Sequence, residues 1–136
     1  MISLAGKKIF IAGATGSIGR AILEEAKQAG AWVAGTYFEN ETEARLLEAQ
    51  GVPVFKVDLR DRDQARDCLR EVLGQVDQLD GLVYAVGNTA DHTLKRLTDA
   101  DWDQVFQLHL EGLVAMTQAA LEGMRQQKQG KIVALG

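Results

Sequence analysis

The segment Lys8-Ile9-Phe10-Ile11-Ala12-Gly13-Ala14-Thr15-Gly16-Ser17-Ile18-Gly19 decides how this chain reads. A short apolar run rich in β-branched residues runs into glycines spaced Gly-x-x-Gly-x-x-Gly. A helix-period pattern, Ile18, Ala21, Ile22 and Ala26, then takes over. A strand that turns through glycines into a helix N-terminus presents backbone N–H groups with no side chain in front of them, and such a turn can hold a pyrophosphate. The candidate cradle is Gly13, Thr15, Gly16, Ser17, Ile18 and Gly19. A purely structural turn is the alternative, and the strand-turn-helix setting favours the cradle.

The same rhythm continues along the chain. Strands are expected at Lys8 to Ala12, Trp32 to Tyr37, Val54 to Val57, Gly81 to Val86 and Lys131 to Leu135, joined by four helices. Asn40 with Glu43, Asp61 with Gln64, and Thr98 with Asp101 have N-cap spacing, and Gly30, Gly51 and Gly130 stand where helices should end. Right-handed crossovers then predict an α/β fold, a Rossmann-type doubly wound parallel sheet in the order 3-2-1-4-5 with helices on both faces. The ligand crevice would lie between strands 1 and 4. The chain stops at Gly136, directly after the fifth strand, so the expectation is a truncated sheet belonging to something longer.

Size and composition agree with one domain over residues 1–136: 46% of the residues are hydrophobic and 25% charged, and no linker or repeat interrupts them. The formal net charge is −4 and no basic cluster exceeds the Lys7-Lys8 pair, which argues against nucleic acid as a partner. No apolar run reaches the roughly 20 residues of a spanning helix, and the N-terminus lacks the pattern of a secretory leader, so no membrane partner and a cytoplasmic location are expected. The single cysteine, Cys68, falls in an apolar helical stripe and reads as a packing residue rather than a reactive thiol.

Further motifs occur in order: Leu4-Ala5-Gly6-Lys7-Lys8 leading into the first strand, Val57-Asp58-Leu59, Leu82-Val83-Tyr84-Ala85-Val86-Gly87, Asp101 to Val105 running on to Leu110-Glu111-Gly112, and Gly130-Lys131-Ile132-Val133. Together with the glycine turn they resemble the N-terminal half of a short-chain dehydrogenase/reductase, the family that includes the β-ketoacyl-carrier-protein reductases. The resemblance implies a nicotinamide dinucleotide, NAD or NADP, as cofactor and a small-molecule carbonyl or alcohol as substrate. It implies cofactor contacts at the glycine turn, at Tyr37, at Asp58 and Leu59 beside the adenine, and at Ala85, Val86 and Gly87. It also implies a homo-oligomer formed through the helix near residues 99–126, where a second apolar row, Leu110, Val114 and Leu121, accompanies the row containing Trp102, Phe106, Leu113 and Met116.

Departures from the family pattern fall on positions tied to chemistry. Ser17 stands where the usual turn has glycine, a spacing nearer the atypical members. Tyr84 and Ala85 replace paired asparagines, so the support those asparagines give to the central strands is expected to be missing. His109 replaces a catalytic asparagine and reads either as a packing residue or as a proton carrier. The family's serine and Tyr-x-x-x-Lys are absent: Tyr37 and Tyr84 are the only tyrosines, and neither has lysine four residues on. His92, beside Asp91, reads as a solvated loop residue.

The choice of cofactor should be made at the end of strand 2, where a carboxylate selects NAD. Tyr37 occupies that position, followed by Phe38 and Glu39, which points toward NADP. No arginine is at hand to meet the phosphate, and Arg20 reads as a solvated helix residue. Asp58 reads either as an adenine ligand or as a cap for the segment before the third helix. The leading functional expectation is the cofactor-binding half of an NAD(P)-dependent oxidoreductase, inactive without downstream residues. The alternatives are a non-catalytic NAD(P)-binding or regulatory module, and an atypical member such as a sugar-nucleotide epimerase or dehydratase.

Overall fold

The computed structural model describes residues 2–87 and 92–136. Strand β1 (Lys8–Ala12) leads through the glycine turn into helix α1 (Ser17–Gln28), then β2 (Trp32–Tyr37), α2 (Glu41–Ala49), β3 (Val54–Lys56), α3 (Arg62–Gln75) and β4 (Gly81–Tyr84). After β4 come α4 (Asp99–Phe106), a π-helical turn (Gln107–Glu111), α5 (Gly112–Gln127) and β5 (Lys131–Ala134). All pairings are parallel and the order is β3-β2-β1-β4-β5, the doubly wound arrangement that the alternation of strands and helices predicts. The strands are shorter than expected at their C-terminal ends: Val57, Ala85, Val86 and Leu135 lie just beyond β3, β4 and β5.

Alternation along the strands sorts the core into two layers. Phe10, Ala12, Leu82 and Tyr84 face α3 and α5, where they meet Leu69, Val72, Ala115 and Met116. Ile11 and Val33 face α1 and α2, against Leu23, Ala26 and Leu47. Burying each large side chain contributes about 1.5–3 kcal/mol. On the α1 face the cover stops short: Ile9, Val83 and Val133 with Leu4 line an apolar cleft over β1, β4 and β5. All four β5 residues are exposed.

Several helix details depart from expectation. In α1 the buried line is Gly19, Leu23 and Ala26, and Ile18 is 61% exposed, so the apolar face is turned by one residue. Gly30 and Gly51 end α1 and α2 with positive φ, and the N–H groups of Ala31 and Val52 bond back to the carbonyls of Ala26 and Leu47. At the end of α5 it is Lys128, not Gly130, that takes the left-handed cap, with φ 57°. The π-helical turn has the largest effect. Trp102, His109 and Met116 are spaced to share one face of an ideal helix, but the extra residue in the turn rotates α5 relative to α4. Met116 is fully buried while Trp102 is 55% exposed. The outward row is therefore Trp102, Phe106, Leu110, Val114 and Leu121, with the Trp102 and Phe106 rings stacked 4.6 Å apart. Among the described residues no helix is long and apolar enough to cross a membrane.

Cys68 is buried in the α3 layer, as its position in the stripe suggests. Burial pushes its thiol up from the ordinary 9.0 to about 12. A raised pKa contributes stability that is complete below the unfolded value and disappears as pH climbs through the folded one. The folded chain should therefore resist iodoacetamide near neutral pH and react once denatured. Its unfolding free energy should fall from about pH 9 toward pH 12, with a shallower fall in Cys68→Ala.

Candidate functional site

The glycine turn is built by backbone approach. Gly13 takes φ 84° and donates its N–H to Thr36 Oγ1 at 3.0 Å, while the Ala14 N–H reaches the Thr36 carbonyl at 2.9 Å. A Cβ on Gly13 would stand 2.8 Å from the Ala85 carbonyl oxygen and 2.9 Å from a methyl of Val86. A Cβ on Gly19 would lie 1.9 Å from the Gly13 carbonyl oxygen, so α1 can seat against β1 only with glycine there. Gly16, Ser17 and Ile18 remain exposed at the mouth. Thr36 is the buried polar residue of the site and Gly35, whose Cβ would strike Ala14, gives the turn its room. Neither was singled out from sequence, although one threonine in an otherwise apolar strand was a signal.

The start of α1 is also chemically distinct. Its N-cap, Gly16, makes no side-chain cap, and its first turn holds no acid. The other helices that begin from a loop in the described residues are capped by Asn40, Asp61 and Thr98 and carry Glu41 and Glu43, Asp63, or Asp99 and Asp101 in the first turn. An uncapped, acid-free N-terminus leaves donors and a positive dipole end for an anion.

The ends of β1 and β4 and the π-helical turn come together, Gly13 against Ala85 and Val86, and Gly87 against His109. His109 lies over Gly87, where an added Cβ would stand 2.7 Å from its Cε1. The π register explains how it is held. The Gly112 N–H goes to the Gln107 carbonyl instead of that of Leu108, and the Leu108 carbonyl accepts the Tyr84 hydroxyl. Gly112 is required because a Cβ there would be 2.3 Å from the Tyr84 oxygen and 2.4 Å from the Leu59 carbonyl. The expectation that replacing asparagine removes support is thus corrected: Tyr84 ties β4 to the π-helical turn by its own hydroxyl. Burial raises the pKa of that hydroxyl, which keeps it a neutral donor.

At the ends of β2 and β3, Tyr37 is buried, Phe38 is 41% exposed, and the Leu59 side chain belongs to the core, leaving its backbone for any ligand. Asp61 caps α3, and Asp58 caps the turn that precedes it, its Oδ1 accepting the Arg60 N–H and its carbonyl the Asp61 N–H. The Asp58 carboxylate accepts the Arg60 backbone N–H at 3.0 Å and its Nε and Nη2 at 2.9 Å each, and the guanidinium holds that carboxyl below its ordinary range. Arg60 in turn lies 5.6 Å from the centre of the Phe38 ring. Arg20 is not a free helix cation: it binds Glu24 at 3.0 Å and Glu43 at 2.8 and 2.9 Å. His92 stands 3.5 Å from Asp101 Oδ2; Asp91 lies outside the described residues.

The Tyr84 arrangement can be measured. Tyr84→Phe, which leaves the Leu108 carbonyl without its donor, should cost about 1–3 kcal/mol of unfolding free energy. Gly112→Ala, which forces the Tyr84 and Leu59 oxygens apart, should cost about as much through overpacking, with both read from denaturant melts.

A model of the short chain dehydrogenase family matches residues 7–136. The chain is 33% identical over 135 residues to the 3-oxoacyl-acyl-carrier-protein reductase FabG of Thermotoga maritima, covering 96% of this chain and 55% of that protein. It is 32% identical over 128 residues to acetoacetyl-CoA reductase of Paracoccus denitrificans, covering 93% and 53%. A solved short-chain dehydrogenase from Streptomyces avermitilis superposes with a TM-score of 0.89 at 29% identity, over 98% of this chain and 50% of that one. The chain spans about half the length of the curated relatives it matches. With its sheet order, its glycine turn and this match over nearly every residue, the chain belongs to the short-chain dehydrogenase family.

Proposed function

We propose that residues 1–136 form a single dinucleotide-binding domain that takes NADP or NAD as the cofactor-binding half of an oxidoreductase acting on a carbonyl or alcohol. The observation that carries this reading is the start of α1, uncapped, free of acid and opened by glycines at the C-terminal edge of β1. A pyrophosphate suits this turn because its three glycines leave backbone N–H groups open and no carboxylate stands in the first turn of α1. Thr15, Gly16, Ser17 and Ile18 would face the phosphates, Asp58 and the Leu59 backbone the adenine, Tyr37 and its neighbours the ribose, and Ala85, Val86 and Gly87 the nicotinamide side of the crevice. Bound there, the dinucleotide supplies or accepts a hydride. His109, resting on Gly87, is the group of this chain placed to pass a proton.

Tyr84 is no candidate for acid-base work, because its hydroxyl is committed to the Leu108 carbonyl. The serine, tyrosine and lysine of the family's chemistry would come from polypeptide outside these residues, and so would whatever covers the apolar cleft over β4 and β5. Homo-oligomer formation through the exposed row Trp102, Phe106, Leu110 and Val114, and a cytoplasmic location, complete the reading.

Titration with NADPH and NADH, followed by cofactor fluorescence and thermal unfolding together, tests it. Saturable binding should raise the unfolding temperature, since a ligand selective for the folded state stabilises it. Gly13→Val should abolish binding; unchanged affinity in a folded variant would refute the assignment. Sedimentation should show an assembly larger than one chain, and Leu110→Lys should shift it toward monomer.

A further inference from the structure

We propose that Arg60 selects a dinucleotide bearing a 2′-phosphate, which deepens the dinucleotide reading above and rests on it. In a doubly wound sheet the adenosine ribose lies at the end of the second strand, where an acid favours NAD and a nearby arginine accommodates the extra phosphate of NADP. Near β2 in sequence there is no such arginine. The tertiary structure brings one from the loop after β3, the strand that pairs with β2. Arg60 reaches back to lie 5.6 Å from the centre of the Phe38 ring, and Phe38 is the first residue past β2 and is exposed.

The guanidinium is held before any ligand arrives. The bond from the Arg60 N–H to Asp58 Oδ1 closes a tight turn, and Nε and Nη2 lie on the two carboxylate oxygens. An arginine carries five N–H donors. Among the described residues Asp58 occupies its Nε edge and no hydrogen bond is made by Nη1, while 40% of the side chain is exposed. One face lies near an aromatic ring, one edge is fixed, and donors remain on a partly exposed guanidinium, an arrangement suited to a phosphate dianion.

The other cations of this region pair with glutamates, and Lys56 and Arg45 are more exposed than Arg60. Arg20 lies between Glu24 and Glu43, Lys56 is bonded to Glu41 at 3.0 Å, and Arg45 is shared by Glu41 and Glu48. One acid opposes the assignment: the exposed Glu39 carboxylate acts on Arg60 through space and would repel a phosphate. That opposition supplies a second, independent test.

Affinities for NADPH and NADH would be measured on the unsubstituted chain, Arg60→Gln, Arg60→Lys and Glu39→Gln. The unsubstituted chain should prefer NADPH. Arg60→Gln should weaken NADPH binding about 10- to 100-fold, the range of a charge-assisted hydrogen-bond pair, while NADH, which senses only the loosened Asp58 carboxylate, should lose far less. Arg60→Lys should retain part of the preference, and Glu39→Gln should tighten NADPH alone. Thermal melts keep a folding defect separate from a lost contact. An equal loss for both cofactors in a folded Arg60→Gln, or an unaltered ratio, overturns the role of Arg60 and leaves dinucleotide binding standing. Binding of neither cofactor by the unsubstituted chain overturns both.

Discussion

Direct contact between backbones at Gly13 is the constraint on which the rest of this structure depends. Its carbonyl oxygen supports α1 at Gly19, its N–H is fixed by the buried Thr36 hydroxyl, and its missing side chain lets Ala85 and Val86 close in from β4. Three elements that are distant in sequence therefore meet without side chains between them. Any Cβ at Gly13 would meet a carbonyl on one side and a strained positive φ on its own. Packing and ligand access meet at this point: the glycines that seat helix on strand lead directly into Gly16, Ser17 and Ile18, exposed at the mouth of the turn.

Electrostatics gives that mouth its sign. The chain has a net negative charge, and acids open α2, α3 and α4. At α1 no acid enters the first turn and Arg20 is neutralised by glutamates, so the field left at the mouth is that of the helix N–H groups. A cradle of this kind relies on backbone rather than side-chain charge, and its geometry is fixed by the fold.

The π-helical turn is the second device. By sending the Gly112 N–H to Gln107 it frees the Leu108 carbonyl for Tyr84, and it changes the rotational phase of everything after it. One inserted residue thereby turns Met116 inward, leaves Trp102 and Phe106 outward, and sets His109 over Gly87. The outward aromatic row and the inward histidine are consequences of the same shift in register.

Sheet order, the strands and helices, the caps at Asn40, Asp61 and Thr98 and the place of the glycine turn are legible in the residues alone, because period, cap chemistry and glycine are local signals. The sequence by itself could not phase the helix after β4, since a π-helical turn is stabilised by a hydroxyl arriving from another strand, and so it grouped the outward Trp102 and Phe106 in one row with the buried Met116. For the same reason it read Tyr84 as lost support and Arg20 as solvated, when Leu108 and Glu43 lie 24 and 23 residues away from them. Thr36, Gly112 and the placement of Arg60 over Phe38 were decided only by tertiary structure, where parallel crossovers bring distant strand ends side by side. Strand and helix formation obeys short-range periodicity, whereas the fine composition of the crevice depends on which loops the crossovers place together.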